Sequence, residues 1–150
     1  MTTRLDATTV EGVKTRIRAL RPDSPRQWGT MSPSQALAHC AGSMAMATGD
    51  VRPKRMMAGY LFGPIIRRLA LGNEEPMRKN SPTVPELVIA DDRDFDAERE
   101  QLIALIDRFV AAGPSKCTTH PHAFFGKLTP EQWAELMYKH LDHHLRQFGA

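Results

Sequence analysis

The sequence predicts an all-α protein: a four-helix bundle with a long, partly helical crossover between its second and third helices, formed as a single domain over residues 1–150. Three observations predict it. Apolar residues recur every three to four positions through four separate stretches, the period of one helix face. Two of those stretches open on a hydroxyl residue followed by proline, with glutamine at the third helical position: Ser32-Pro33-Ser34-Gln35 and Thr129-Pro130-Glu131-Gln132. Such a box satisfies two backbone donors reciprocally, and proline at the first position gives up an N–H that has no helical partner anyway. The only strand-like run is a weak one at Leu87–Ile89.

The first helix is expected from about Thr8 to Leu20, opened by Thr8-Thr9-Val10-Glu11 as a capping box and striped by Val10, Val13, Ile17 and Leu20. The second runs from Ser32 to Gly49, a natural left-handed terminus, with Ala36, Leu37, Cys40, Met44 and Ala47 on its apolar face. The third begins near Asp94 or Asp96, carries Leu102, Ile106 and Phe109, and stops at Gly113-Pro114. The fourth carries Trp133, Leu136, Met137, Leu141 and Phe148 towards the C-terminus. The crossover spans Asp50 to Arg93. Within it, Met56 to Leu71 has helical spacing interrupted by Gly63-Pro64, which predicts one or two short helices laid over the bundle as part of the core. A connector with Pro76, Pro82 and Pro85 follows.

Composition narrows the function classes. Hydrophobic content of 41% and charged content of 25% are those of an ordinary globular protein. Residues 51–80 hold seven basic side chains against two acidic, and residues 91–100 hold six acidic against two basic. Adjacent blocks of opposite sign predict solvated faces that attract one another. With a net charge of +3 and no aromatic interleaving, nucleic acid is not an expected partner. No run approaches the roughly 18 apolar residues of a membrane span, and the N-terminus has no signal-like stretch, so no membrane partner is expected either. Two distant cysteines, Cys40 and Cys117, do not form a disulfide framework. A reduced, cytoplasmic protein is the expectation.

The chemistry concentrates in Lys139-His140-Leu141-Asp142-His143-His144. At about 100° per residue, His140 and His144 lie within about 40° of each other on one helix face. Trp133 and Met137 share that face, so both imidazoles point inward and Asp142 outward. Two histidines at i and i+4 can reach one metal ion. The plainer alternative is a pair of buried neutral imidazoles, each needing a hydrogen-bond partner. His39, on the edge of the second helix's apolar face, is the best third ligand, although alone it reads as a boundary histidine. Cys40 points about 100° away from His39 and is not expected to share its metal. Cys117, His120 and His122 are near enough in sequence to suggest a second site, but a loop rich in Pro and Thr is more often only a loop. The fourth helix lacks the glutamate that zinc-protease helices place after the first histidine.

Gln35-Ala36-Leu37-Ala38-His39 paired with His140-Leu141-Asp142-His143-His144 resembles the DinB-like superfamily, and in particular its small bacterial branch of unknown function. The resemblance extends to Leu61-Phe62-Gly63-Pro64, Lys79-Asn80-Ser81-Pro82-Thr83, Phe124 to Trp133 and His143 to Gly149, nearly the whole chain. It implies a four-helix bundle with a long crossover. It also implies a divalent metal (Zn²⁺, Ni²⁺ or Fe²⁺) on three histidines, which map to His39, His140 and His144. Relatives include thiol-dependent transferases and isomerases and presumed hydrolases.

The expected function is therefore a metal-dependent enzyme, by analogy a thiol transferase or hydrolase acting on a small molecule. Trp28, Met46, His122 and His143 are candidates to line its pocket, and His122 or His143 to move a proton. The alternatives are a non-catalytic bundle that binds a small molecule or a structural metal, and a homodimeric interaction module using Met56–Leu71 as an exposed surface.

Overall fold

The computed structural model describes residues 2–81 and 83–150. Its described residues are all-helical: α1 (Val10–Ala19), α2 (Pro33–Thr48), α3 (Met57–Ala70), α4 (Phe95–Ala112) and α5 (Pro130–Gln147), with 3-10 turns at Pro85–Leu87 and Pro114–Lys116. Pro82, one of the three prolines of the predicted connector, lies outside the described residues, as does Met1.

Local chemistry sets most boundaries. Ser32 Oγ accepts from the Gln35 N–H while Gln35 Oε1 accepts from the Ser32 N–H, and Thr129 and Gln132 repeat the arrangement at α5. Asp94 caps α4 through the Ala97 N–H. α2 ends on Gly49 at φ 85°, where a side chain would be strained. The capping box expected at Thr8 does not form. The Asp6 carboxylate takes the Thr8 N–H and hydroxyl instead, and helix begins at Val10.

α2 packs most extensively on α4 and also touches α5, while α1 lies across α4 and α5. Ile17, Met44, Leu102, Ile106, Trp133, Met137 and Leu141 are fully buried where these helices meet. Lys14 of α1 pairs with Asp107 of α4, and Arg16 with Asp142 of α5. Asp142, expected to face solvent, is thus drawn into a partly shielded pair, because α1 brings a guanidinium over that side of α5.

Of the one or two short helices expected over Met56 to Leu71, one forms, and three further expectations are corrected. Residues 57–70 form one unbroken helix: Pro64 sits on the solvent side, where the Tyr60 carbonyl it leaves unpaired can turn to water. That helix does not contribute its large side chains to the core. Only Gly59 and Gly63 are buried, and α3 packs extensively on no other helix. Its inner face rests on the backbone of the loop before α5: a Cβ at Gly59 would stand 2.6 Å from the Phe124 carbonyl oxygen, and one at Gly63 would overlap that oxygen. At Leu87–Ile89 no strand forms; Pro85 nucleates a 3-10 turn, and no strand occurs among the described residues. Nor do the opposite charge blocks pair across the surface among the described residues. Arg93 and Arg99 bind the acidic groups of their own segment. Among the described residues, no helix is long and apolar enough to cross a membrane.

Candidate metal centre

The face of α5 that carries Trp133, Met137, His140 and His144 turns towards α2, where His39 stands mid-helix. One ring nitrogen from each of His39, His140 and His144 lies within 4.8 Å of the other two, and this is the one such group of potential ligands among the described residues. The His39 and His140 Nε2 atoms are 2.9 Å apart. The three ring centroids are 4.7–4.8 Å from one another. His39 and His144 are buried, and His140 is partly exposed, so the group reaches the surface on the His140 side.

Hydrogen bonds behind two of the rings fix which nitrogen carries the proton. His39 Nδ1 is 2.8 Å from the Leu87 carbonyl, which can only accept, so the proton is on Nδ1 and the Nε2 lone pair faces His140. Gln147 does the same for His144 through a longer chain. The Trp28 carbonyl accepts from Gln147 Nε2, which turns Oε1 towards His144 Nδ1, 2.9 Å away. His144 Nδ1–H therefore donates to Oε1 and leaves Nε2 unprotonated.

Burial keeps all three rings neutral. Desolvation holds His39 below the ordinary imidazole value, against the opposing pull of the Leu87 hydrogen bond. It pushes His144 down to about 3, with the repulsion that a protonated His144 would meet from a protonated His39 adding to the effect. His140 lies well below the usual range, first through desolvation and then through the other imidazoles around it. Neutral imidazole is the form that ligates a metal.

The other candidates fall outside the triad. His122 Nδ1 accepts from the Phe124 and Phe125 N–H groups at 3.0 and 3.1 Å, so its proton is on Nε2. Burial, helped by the Arg55 charge, pushes it down to about 4. In this position His122 can donate a hydrogen bond, but it can take a proton only by giving up the turn that its Nδ1 closes. Its ring lies 5.6 Å from Trp133, whose buried Nε1–H has no hydrogen-bond partner in the protein. His143 is half-buried, its ring centroid 5.4 Å from the tilted Trp28 ring and 4.9 Å from that of His144, which it meets edge to face, with Lys79 over the Trp28 ring. It packs beside a ligand candidate without joining the group. Met46 is buried in the core. Cys117, His120 and His122 do not form a second site: Cys117 Sγ contacts the Ala47 carbonyl, His120 Nε2 donates to the Pro53 carbonyl, and His122 is held by its own turn.

Two groups were missed by the sequence reading, the Leu87 carbonyl and Gln147. Gln147 follows His144 by three residues, a spacing that places it on the same face of α5 and could have revealed it. Leu87 is 48 residues from His39 and has no local signal.

The molecule is thus an all-helical protein with three converging neutral histidines. Residues 1–150 match the family model described as "Protein of unknown function (DUF1569)", and the chain belongs to that family. No curated protein and no solved structure matches it.

Proposed function

We propose that His39, His140 and His144 hold one divalent metal ion and that the protein is a metal-dependent enzyme of the DinB-like kind, its helices a four-helix bundle with α3 in the crossover. The observation that carries this reading is the pair of fixed tautomers. Leu87 and Gln147 each hold a proton on Nδ1 and leave an Nε2 lone pair unprotonated within one converging group. A carbonyl behind a ligating histidine is the usual means of orienting such a ring. Buried imidazoles that served only packing would have no need to converge.

The donor spacings suit the task. Ligands at about 2.0–2.1 Å in a tetrahedral shell are about 3.3 Å apart, within the range between the closest pair at 2.9 Å and the 4.8 Å limit of the group. Lewis acidity at a three-histidine site with open positions makes a water or a thiol nucleophilic near neutral pH. The partly exposed side of His140 offers the approach for a small-molecule substrate. Thiol transfer or hydrolysis as the reaction class rests on the resemblance alone.

The test is elemental analysis of the protein purified without a polyhistidine tag, beside His39→Ala and His140→Ala. About one equivalent of Zn, Ni or Fe in the parent and little in either variant supports the site; thiol-transfer and hydrolysis screens then follow. A folded, metal-free parent that takes up no Zn²⁺ or Ni²⁺ rejects it in favour of a non-catalytic bundle.

A further inference from the structure

We propose that α3 docks the protein on the surface of a membrane containing anionic lipid. Seven of the nine large hydrophobic side chains exposed among the described residues lie on this one helix. Met57, Leu61, Ile65 and Leu69, at successive i, i+4 positions, form a ridge with exposures of 84, 74, 60 and 69%, and Phe62 flanks it at 55%. A ridge of this kind on a water-soluble surface marks a contact with something apolar.

The outward register is built into the helix. Its inner face is Gly59 and Gly63, pressed so closely on the Phe124 backbone that neither position has room for a Cβ. Rolling α3 to bury its ridge would drive leucine and isoleucine into space that admits only a hydrogen. Both ends are also tied down. The Met56 N–H donates to the Ala123 carbonyl, and Leu71 is buried in the core. At the C-terminal end, Lys139 of α5 donates to the carbonyl of Ala70.

Charge identifies the occupant. Residues 51–72 contain Arg52, Lys54, Arg55, Arg67 and Arg68 and no acidic residue. Glu74, the first carboxylate beyond, is taken by the N–H and hydroxyl of Thr3. Arg67 is used internally, on the Phe125 and Lys127 carbonyls, and Arg55 lies over Tyr60. Exposed Lys54 and Arg68 remain near opposite ends of the ridge, with exposed Lys127 on the adjoining loop. An apolar ridge flanked by cations matches a helix lying in the headgroup plane of an anionic bilayer. A second copy of the chain fits less well. Two-fold pairing of α3 with itself sets Arg67 and Arg68 against Lys54 and Arg55 when antiparallel, or like against like when parallel, with no carboxylate on the helix to offset them. The expectation of no membrane partner came from the lack of a spanning run, and a helix lying on the surface needs none.

Co-sedimentation of the full-length protein tests this. The probes are phosphatidylcholine vesicles with phosphatidylglycerol as the anionic component, against pure phosphatidylcholine. The expected result is sedimentation with the anionic vesicles only, weakened by salt. Leu61→Asp with Ile65→Asp should cost at least tenfold in partitioning, and Lys54→Gln and Arg68→Gln about fivefold each. These side chains are exposed, so circular dichroism should show the fold intact. Phe62→Trp gives a second readout that leaves the ridge apolar: its emission should shift to the blue on anionic vesicles. No sedimentation, equal sedimentation with neutral vesicles, or a dimeric parent that the double aspartate variant makes monomeric overturns the proposal.

Discussion

The candidate site depends heavily on Gln147, because it joins the Trp28 carbonyl to His144 and so decides which ring nitrogen of His144 is free. Gln147→Leu removes the acceptor while keeping a buried side chain of similar size. Zn²⁺ affinity should fall roughly 10- to 100-fold, the usual cost of losing such a partner. Gln147→Glu keeps the acceptor oxygen for Nδ1 and should lose less. Competition titration with a chromogenic chelator reads both, and equal loss in the two variants would remove the orienting role. Gly29 supports the same residue. It adopts φ +79°, and a Cβ there would lie 2.6 Å from Gln147 Nε2. Gly29→Ala should destabilise the protein by about 1–2 kcal/mol in chemical denaturation, the cost of a left-handed conformation for a residue with a side chain. Much of this site was legible beforehand. The i, i+4 spacing of His140 and His144 and their company of Trp133 and Met137 gave two members of the converging histidine group and their direction. His39 was weaker, since a histidine on the edge of an apolar face has no periodicity of its own; what commits it is a carbonyl far along the chain, which no local pattern reveals.

Among the elements, α2, α4 and α5 were readable because their ends carry chemistry that acts locally: a hydroxyl cap and a following proline open α2 and α5, an aspartate caps α4, and a glycine closes α2 and α4. α1 was readable as an element but not at its start, where the Asp6 carboxylate takes up the N–H and hydroxyl of Thr8 itself. α3 defeated the reading in a more instructive way. Its apolar ridge has the same helical period as a core helix, and periodicity cannot say on which side the rest of the molecule lies. The deciding residues were Gly59 and Gly63, which look like helix breakers in sequence and serve as the packing face in three dimensions. Their role predicts the effect of Gly63→Ala. The obstructing atom is backbone oxygen, which cannot rotate away, so α3 should lift from the loop that carries His122. Hydrogen exchange should report faster exchange across residues 57–70 with little change in α2 and α5. Uniform loss of protection would instead mean that α3 is integral to the core.

For the whole molecule, several imidazoles sit buried and neutral in one small region, and this couples stability to both pH and metal. In the unfolded chain histidine titrates near 6.5, whereas in the folded protein burial pushes His122 down to about 4 and His144 down to about 3. Between those values the unfolded state binds more protons, so each group destabilises the fold progressively as pH falls from about 6.5, and contributes no pH dependence above it. Each unit of depression corresponds to about 1.4 kcal/mol. The metal-free protein should therefore lose melting temperature steadily between pH 6.5 and about 3. His144→Asn, which retains a polar side chain without the titration, should flatten part of that slope. Zn²⁺ should act in the opposite sense at pH 7, adding about 2.7 kcal/mol when free metal stands at 100 times its Kd. That gain should shrink as acid competes for the same nitrogens. Calorimetric melts across pH, with and without Zn²⁺, separate the two effects. A slope without a metal response would mean that the imidazoles are buried but do not ligate. A metal response that survives His140→Ala would place the ion elsewhere in the molecule.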